Sequence, residues 1–99
     1  MGRTNVVILL DSRDNIAIAL QELQAGHVIS QSDLQTPVEV HNTIPRGHKI
    51  ALTDIAKGEP IIKYGERMGH AYRAIERGTH VHTHNVTGDR VSTEPEPAE

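Results

Sequence analysis

I-P-R-G-H-K-I-A-L-T-D-I-A-K-G-E-P-I-I, residues 44 to 62, decides the fold class. Within it one spacing occurs twice, aliphatic-x-x-Gly-x-x-aliphatic, as Ile44-Gly47-Ile50 and as Ile55-Gly58-Ile61. A glycine so placed marks a tight turn, because positive φ costs it little, and the flanking aliphatics re-enter the core. Working outward, the spacing recurs as Leu23-Gly26-Ile29 and as Ile75-Gly78-Val81. Each copy leads into a β-like segment, so the four share a turn geometry. Their uneven spacing sets them apart from a solenoid.

Around these turns, Asp33 to Val91 consists of short β-like pieces broken by Gly and Pro: V-E-V, H-K-I-A-L, P-I-I-K-Y and V-H-T-H-N-V. This is the pattern of a small all-β unit and not of a parallel α/β sheet. Asn5 to Leu10, N-V-V-I-L-L, reads as a buried strand. D-S-R-D-N then offers helix-capping residue types, and Ile16, Ala17, Leu20 and Leu23 follow at helical spacing. The expectation is one helix, roughly Asn15 to Gln24, stopped by Gly26. The fold class is therefore mainly β with one helix (α+β). Residues 1–91 form one domain, and the polar, Pro-interrupted 92–99 an acidic, disordered tail.

Composition narrows the function classes. With 2 tyrosines and no phenylalanine or tryptophan among 99 residues, the core must be built from Ile, Val, Leu and Ala. Such a core is modest, and a partner subunit or self-association would help it. The formal charge of −3 is concentrated in the tail, at Glu94, Glu96 and Glu99. No run of Lys or Arg and no aromatic platform suggests a nucleic-acid surface. The absence of cysteine removes disulfides, thiolate zinc sites and a cysteine nucleophile. The apolar run near the N-terminus is broken by Asp11, too short for a signal peptide or a membrane span. The chain is expected to be soluble and cytoplasmic.

The chemistry-bearing stretch is I-E-R-G-T-H-V-H-T-H-N, residues 75 to 85. In an extended strand, side chains at i, i+2 and i+4 share a face, so His80, His82 and His84 point together. Same-face neighbours lie about 6–7 Å apart along a strand. Two of the three can therefore reach one ion, and all three only if the strand bends. The competing account is a polar strand face that needs no ion.

The run G-H-K-I-A-L-T-D-I-A-K-G-E-P-I-I-K-Y-G-E-R-M-G-H-A, residues 47 to 71, followed by I-E-R-G-T-H-V-H-T-H-N, resembles the N-terminal domain of the altronate and galactarate dehydratase family. D-N-I-A-I-A-L-Q-E-L-Q-A-G, residues 14 to 26, looks like the opening helix of the same family. The resemblance implies an SAF-type β-clip fold. It also implies removal of water from a hexonate or hexarate to give a 2-keto-3-deoxy product, with a divalent metal: iron first, manganese or zinc as alternatives. In the long members a much larger domain follows, so a separately encoded large subunit is implied as partner, with a sugar acid as substrate.

Such a β-elimination needs a base for the α-proton, an electrophile for the carboxylate and an acid for the departing hydroxyl. With the resemblance, His80, His82 and His84 are the candidate metal ligands. His82 and His84 are the candidate catalytic residues, with Asn85 as a hydrogen-bonding, substrate-side neighbour. His48 and Lys49 form a second candidate substrate site, and Lys63 and Tyr64 a third. Lysine supplies a point charge for a carboxylate and tyrosine a donor for a hydroxyl. Asp14 and Asn15 are more simply helix caps, although the resemblance also makes them substrate-binding candidates. His41 and Asn42 are a weaker candidate pair, and His27 and His70 receive no role. Two rivals stand beside the dehydratase subunit: the alpha subunit of a sulfolactate sulfo-lyase, and a carbohydrate-binding module without catalysis. A domain that only stabilises its partner is a third.

Overall fold

The computed structural model describes residues 5–82 and 85–88. The expected helix is absent: the described residues are strands, turns and loops throughout. No helix among them is long and apolar enough to cross a membrane. His84 and the proposed tail, 92–99, lie outside the described residues.

Among the described residues, nine strands form three antiparallel sheets. The central sheet has the order β1 (Val7–Ile8), β2 (Ile16–Ala19), β5 (Lys49–Ala51), β8 (His80–Val81). β3 (Val28–Ile29) pairs with β4 (Val38–Glu39). β6 (Pro60–Lys63), β7 (Glu66–Ala71) and β9 (Val86–Gly88) make the third sheet.

The helix expectation failed at β2. Ile16 pairs with Ala51, Ala17 with Ile50 and Ile18 with both Lys49 and Ile8. Ile16, Ala17 and Ala19 are all buried, because the central sheet is covered on both faces. One face carries Val7, Ala17, Ala19 and Ile50 into a core with Leu23, Ile29, Val38, Val40 and Ile44. The other carries Ile16, Ala51 and Val81 into a core with Ile55, Ile61, Ala71 and Ile75. A strand buried on both sides loses its period of two. The spacing from Ile16 to Leu23 was therefore a coincidence: Leu20 is 45 % exposed, and Leu23 belongs to a separate β-bridge with Ile44. The N-terminal strand is also shorter than expected. It is confined to Val7–Ile8, and Ile8 and Leu10 are exposed.

The glycine repeat is the frame of the molecule. Gly26, Gly47, Gly58 and Gly78 have φ of 93°, 87°, 89° and 89°. Each is the third residue of a turn closed by the next residue's N–H on a carbonyl: His27 to Gln24, His48 to Pro45, Glu59 to Ala56 and Thr79 to Glu76, at 2.9–3.1 Å. Positive φ at the third position identifies type II turns, where glycine is favoured. The aliphatics before the turns bond in pairs. Leu23 and Ile44 exchange both backbone hydrogen bonds, as do Ile55 and Ile75, all at 2.8 Å.

The turn glycines bond in matched fashion too. Gly26 and Gly58 donate to Val40 and Ala71, and Gly47 and Gly78 to Ala19 and Ala51. The chain is thus two similar bent ribbons, each pinched by one bridge, packed on opposite faces of the central sheet. β5 serves both ribbons, pairing with β2 and with β8.

Both edges of the central sheet meet side-chain amides. Gln31 Oε1 accepts from the backbone N–H of Val6 and Val7 (2.7 and 3.1 Å), and its Nε2 donates to the Val7 carbonyl (3.1 Å). On β8, Asn42 and Asn85 meet the backbone of His80 and His82. An uncovered edge strand is a template for pairing with another chain.

Candidate functional site

The turn at Gly47 delivers His48 to the start of β5, and the turn at Gly78 delivers His80 to β8. Because β5 and β8 are antiparallel, with Lys49 opposite Val81 and Ile50 opposite His80, position 48 falls opposite position 82. The rings of His48 and His82 stack with centroids 4.0 Å apart and planes at 16°. His80 joins from the side, its Nε2 2.8 Å from Nδ1 of His48. No two of the three ligand atoms are more than 4.8 Å apart, and all three rings are half-buried.

Three imidazoles at this separation suit a divalent ion. Ligand nitrogens about 2.0–2.1 Å from a zinc-like ion stand about 3 Å from one another, close to the spread of these three atoms. Among the described residues, the trio joins His80 and His82 of the expected set to His48 from another strand, while His84 lies outside those residues. The strand does not have to bend around an ion for three histidines to meet.

His82 also borders a second feature. β8 ends at Val81, and the chain turns back so that Asn85 N–H donates to the His82 carbonyl (3.1 Å). At this bend His82 lines a pocket of about 310 Å³ with Lys49, Lys63, Ile61, Met68, Val81 and Val86. Its walls are mostly apolar, and among the described residues its lining holds two lysines and no acid. Burial and, after it, the charge of Lys63 hold the Lys49 ammonium's pKa below the usual lysine range. A carboxylate would relieve both effects. Met68 reaches the pocket by a β-bulge: Ile61 pairs with Gly69 but Ile62 with Arg67, leaving Met68 as the extra residue on β7. Bulges of this kind often re-aim a side chain beside a site.

The remaining candidates play other parts. Asp14, at the edge of burial, is not a helix cap: its carboxylate accepts the N–H of Gly65 (2.8 Å) and of Asp11 (3.1 Å). Asn15 Oδ1 accepts from Ile62 N–H (2.7 Å) and its Nδ2 donates to the Pro60 carbonyl (2.9 Å). Together they fasten the β6–β7 hairpin to the central sheet and thereby place Lys63. They line a groove with Arg77 and Thr36 and not the pocket of Lys49 and Lys63.

Tyr64 sits at the tip of that hairpin with φ 60°, followed by Gly65 at 74°, the signature of a type I′ turn. Its side chain is 69 % exposed and does not line the pocket. Asn85 is buried, and both ends of its amide are bonded to the backbone of β8. Asn42, a weak candidate from sequence, accepts the His80 N–H at 3.0 Å. Met68 had no signal, since a bulge is set by pairing between strands.

Comparison with known proteins follows from this geometry. The family model of the altronate/galactarate dehydratase SAF domain matches residues 5–89. Altronate dehydratase of Escherichia coli is 49 % identical over 79 residues, covering 80 % of this chain and 16 % of that protein. Galactarate dehydratase (L-threo-forming) of the same organism is 40 % identical over 78 residues, 77 % of this chain and 14 % of that protein. The chain thus spans about one sixth or less of those relatives. By contrast, (2R)-sulfolactate sulfo-lyase subunit alpha of Chromohalobacter salexigens is 34 % identical over 88 residues, 84 % of this chain and 94 % of that subunit.

Proposed function

Since this chain belongs to the altronate/galactarate dehydratase SAF domain family, we propose that it is the small subunit of a sugar-acid dehydratase, completing the active site of a separate large subunit. His48, His80 and His82 hold a divalent metal, with iron favoured. Lys49 and Lys63 hold the substrate's carboxylate. The observation that carries this is the position of His82, which stacks on His48 at 4.0 Å and also lines the two-lysine pocket. Ligand-type and carboxylate-binding side chains therefore share one neighbour. The subunit role is supported by a match that covers 94 % of a relative named as an alpha subunit.

When bound, the metal supplies a Lewis acid beside the carboxylate. The chain's own groups do the rest of its share. Lys49 and Lys63 orient the carboxylate and neutralise the charge that grows on it as the α-proton leaves. His82, at the border of the two features, is spent on the metal through its ring, so the acid for the departing hydroxyl comes from the large subunit. Ile61, Met68, Val81 and Val86 keep water from the reacting end. The base for the α-proton is given to the large subunit as well, since among the described residues the pocket lining adds to His82 only the two lysines already placed on the carboxylate, and the chain alone is inactive. The cytoplasm is the expected compartment.

The same coverage, 94 % of that subunit, also favours a second reading, the alpha subunit of a (2R)-sulfolactate sulfo-lyase, in which sulfite leaves in place of water. The test is to titrate the chain and His48→Ala with Co²⁺, then assay altronate, galactarate and sulfolactate loss with and without the large subunit. Spectroscopic binding lost in the variant, and turnover only in the reconstituted pair, is expected. The substrate that turns over separates the two lyases. Full turnover by the chain alone overturns the subunit assignment.

A further inference from the structure

We propose that Asn42 and Asn85 are positioning residues that hold β8 so that His80 and His82 present their rings to the same place; this rests on the metal-holding role given above to the cluster. β8 is two residues long and is the last strand of its sheet, with β5 on one side. On the side away from β5, the His80 N–H donates to Asn42 Oδ1 (3.0 Å). The His80 carbonyl accepts from Asn85 Nδ2 (2.8 Å), and the His82 N–H donates to Asn85 Oδ1 (3.0 Å). The two amides stand where a neighbouring strand would.

The Asn85 amide bonds to a carbonyl at one residue and an N–H two residues on, as the backbone of a paired strand does. That requires residues 80 and 82 to be extended, which sends alternate side chains to one face. Without it the chain past Val81 has to hold itself straight just where it is about to turn. The His82 carbonyl already accepts Asn85 N–H in that turn.

Placement favours positioning over general support. The remainder of β8 is secured by β5: Gly78 N–H to the Ala51 carbonyl (2.9 Å), Ala51 N–H to the Thr79 carbonyl (3.0 Å), and the Lys49–Val81 pair. The amides act only on the two residues that carry ring ligands. Asn85 is 3 % exposed and its own carbonyl accepts Tyr72 N–H (2.8 Å), so it is fixed from behind. Asn42 is brought from 38 residues away by the first ribbon, where its neighbour His41 donates to the Gly78 carbonyl (2.9 Å). The first ribbon thereby reaches across to the histidine strand of the second. Ligand-supporting contacts of this kind are worth about 10- to 100-fold in metal affinity.

The molecule contains its own control. Gln31 makes the comparable amide contacts on β1, at the opposite edge of the sheet. Gln31→Ala should lower stability much as Asn42→Ala and Asn85→Ala do, and leave the histidines alone. The full chain and the three variants are titrated with Co²⁺, followed by its visible absorption, and the metal-free proteins are examined by NMR for contacts between the His48 and His82 rings.

The expected result is about a 10- to 100-fold loss of Co²⁺ affinity and loss of the ring contacts in Asn42→Ala and Asn85→Ala, with wild-type values in Gln31→Ala. Wild-type affinity and ring contacts in both asparagine variants would overturn the positioning role and leave the metal site standing. Equal loss in Gln31→Ala would overturn it as well, since the effect would then be global. If no protein binds Co²⁺ but the asparagine variants still lose the ring contacts, the metal reading fails and the positioning role holds. Should Asn85→Ala not fold, Asn42→Ala, at an exposed residue, decides the matter.

Discussion

Gly47 and Gly78 occupy equivalent turns with nearly equal φ, 87° and 89°. Alanine at either position must adopt left-handed backbone, at about 1–2 kcal/mol. The surroundings then differ. A Cβ on Gly47 meets nothing within 4 Å, whereas on Gly78 it would press closer than 3.0 Å onto the carbonyl oxygen of Glu39 and lie 3.3 Å from that carbonyl's carbon. The neighbour is backbone and cannot rotate away. The Gly78 carbonyl also accepts His41 N–H, so any shift disturbs the junction of the two ribbons. Forced packing of this sort adds about 1–3 kcal/mol.

The expected losses are therefore about 1–2 kcal/mol for Gly47→Ala and about 2–5 kcal/mol for Gly78→Ala. For a domain of this size each kcal/mol moves the midpoint by roughly 4–8 °C. Urea unfolding followed by circular dichroism, with thermal scans in parallel, measures both. Losses equal to within about 0.5 kcal/mol, the ordinary error of such comparisons, would refute the close approach at Gly78 and with it the packing of the two ribbons.

Three further outcomes are expected. Gln31→Ala removes the amide that covers β1 and should cost about 1–3 kcal/mol in urea unfolding, while sedimentation velocity shows new self-association through the exposed edge. Lys63→Met removes a like charge from Lys49, whose lowered pKa means that the folded chain disfavours the proton the unfolded chain keeps. That penalty is full below the folded pKa and disappears as pH rises through the unfolded value, so the variant should be more stable than wild type at pH 7, and its advantage should vanish above about 10.4. The Asp11 carboxyl is held down to about 2, first by the Arg13 side-chain hydrogen bond and then by the Arg13 N–H. Arg13→Ala should move it toward 3.8, read from the carboxyl shift in an NMR titration, and so shrink the stability that the wild type gains above pH 3.8 and loses as pH falls through about 2.

Sequence carried the turns and lost the strand that both ribbons enclose. The spacing from Leu23 to Val81 marked all four type II turns, because φ near 90° selects glycine whatever the surroundings. The pieces after Gly47 and Gly58 were legible as strands. Ile16–Ala19 was not, since burial on both faces removes the alternation that distinguishes a strand from a helix. β7, E-R-M-G-H-A, also escaped: its outer half, Glu66 to Met68, is exposed, and only pairing with β6 and β9 makes it a strand. At the site, alternation placed His80 and His82 together. It could not reveal that His48, 32 residues earlier, adds a ring to these two, since antiparallel register is a property of two strands at once. The same limit left Asn42 a weak candidate with no partner assigned to it.

The sharing of β5 governs how the chain comes apart. Lys49–Ala51 closes the first ribbon against β2 and opens the second against β8, so neither half owns it. No single backbone cut leaves both halves with a complete set of pairings. Melting should accordingly be all-or-none, with no half-molten species in which one hydrophobic cluster survives, and the calorimetric and van't Hoff enthalpies should coincide.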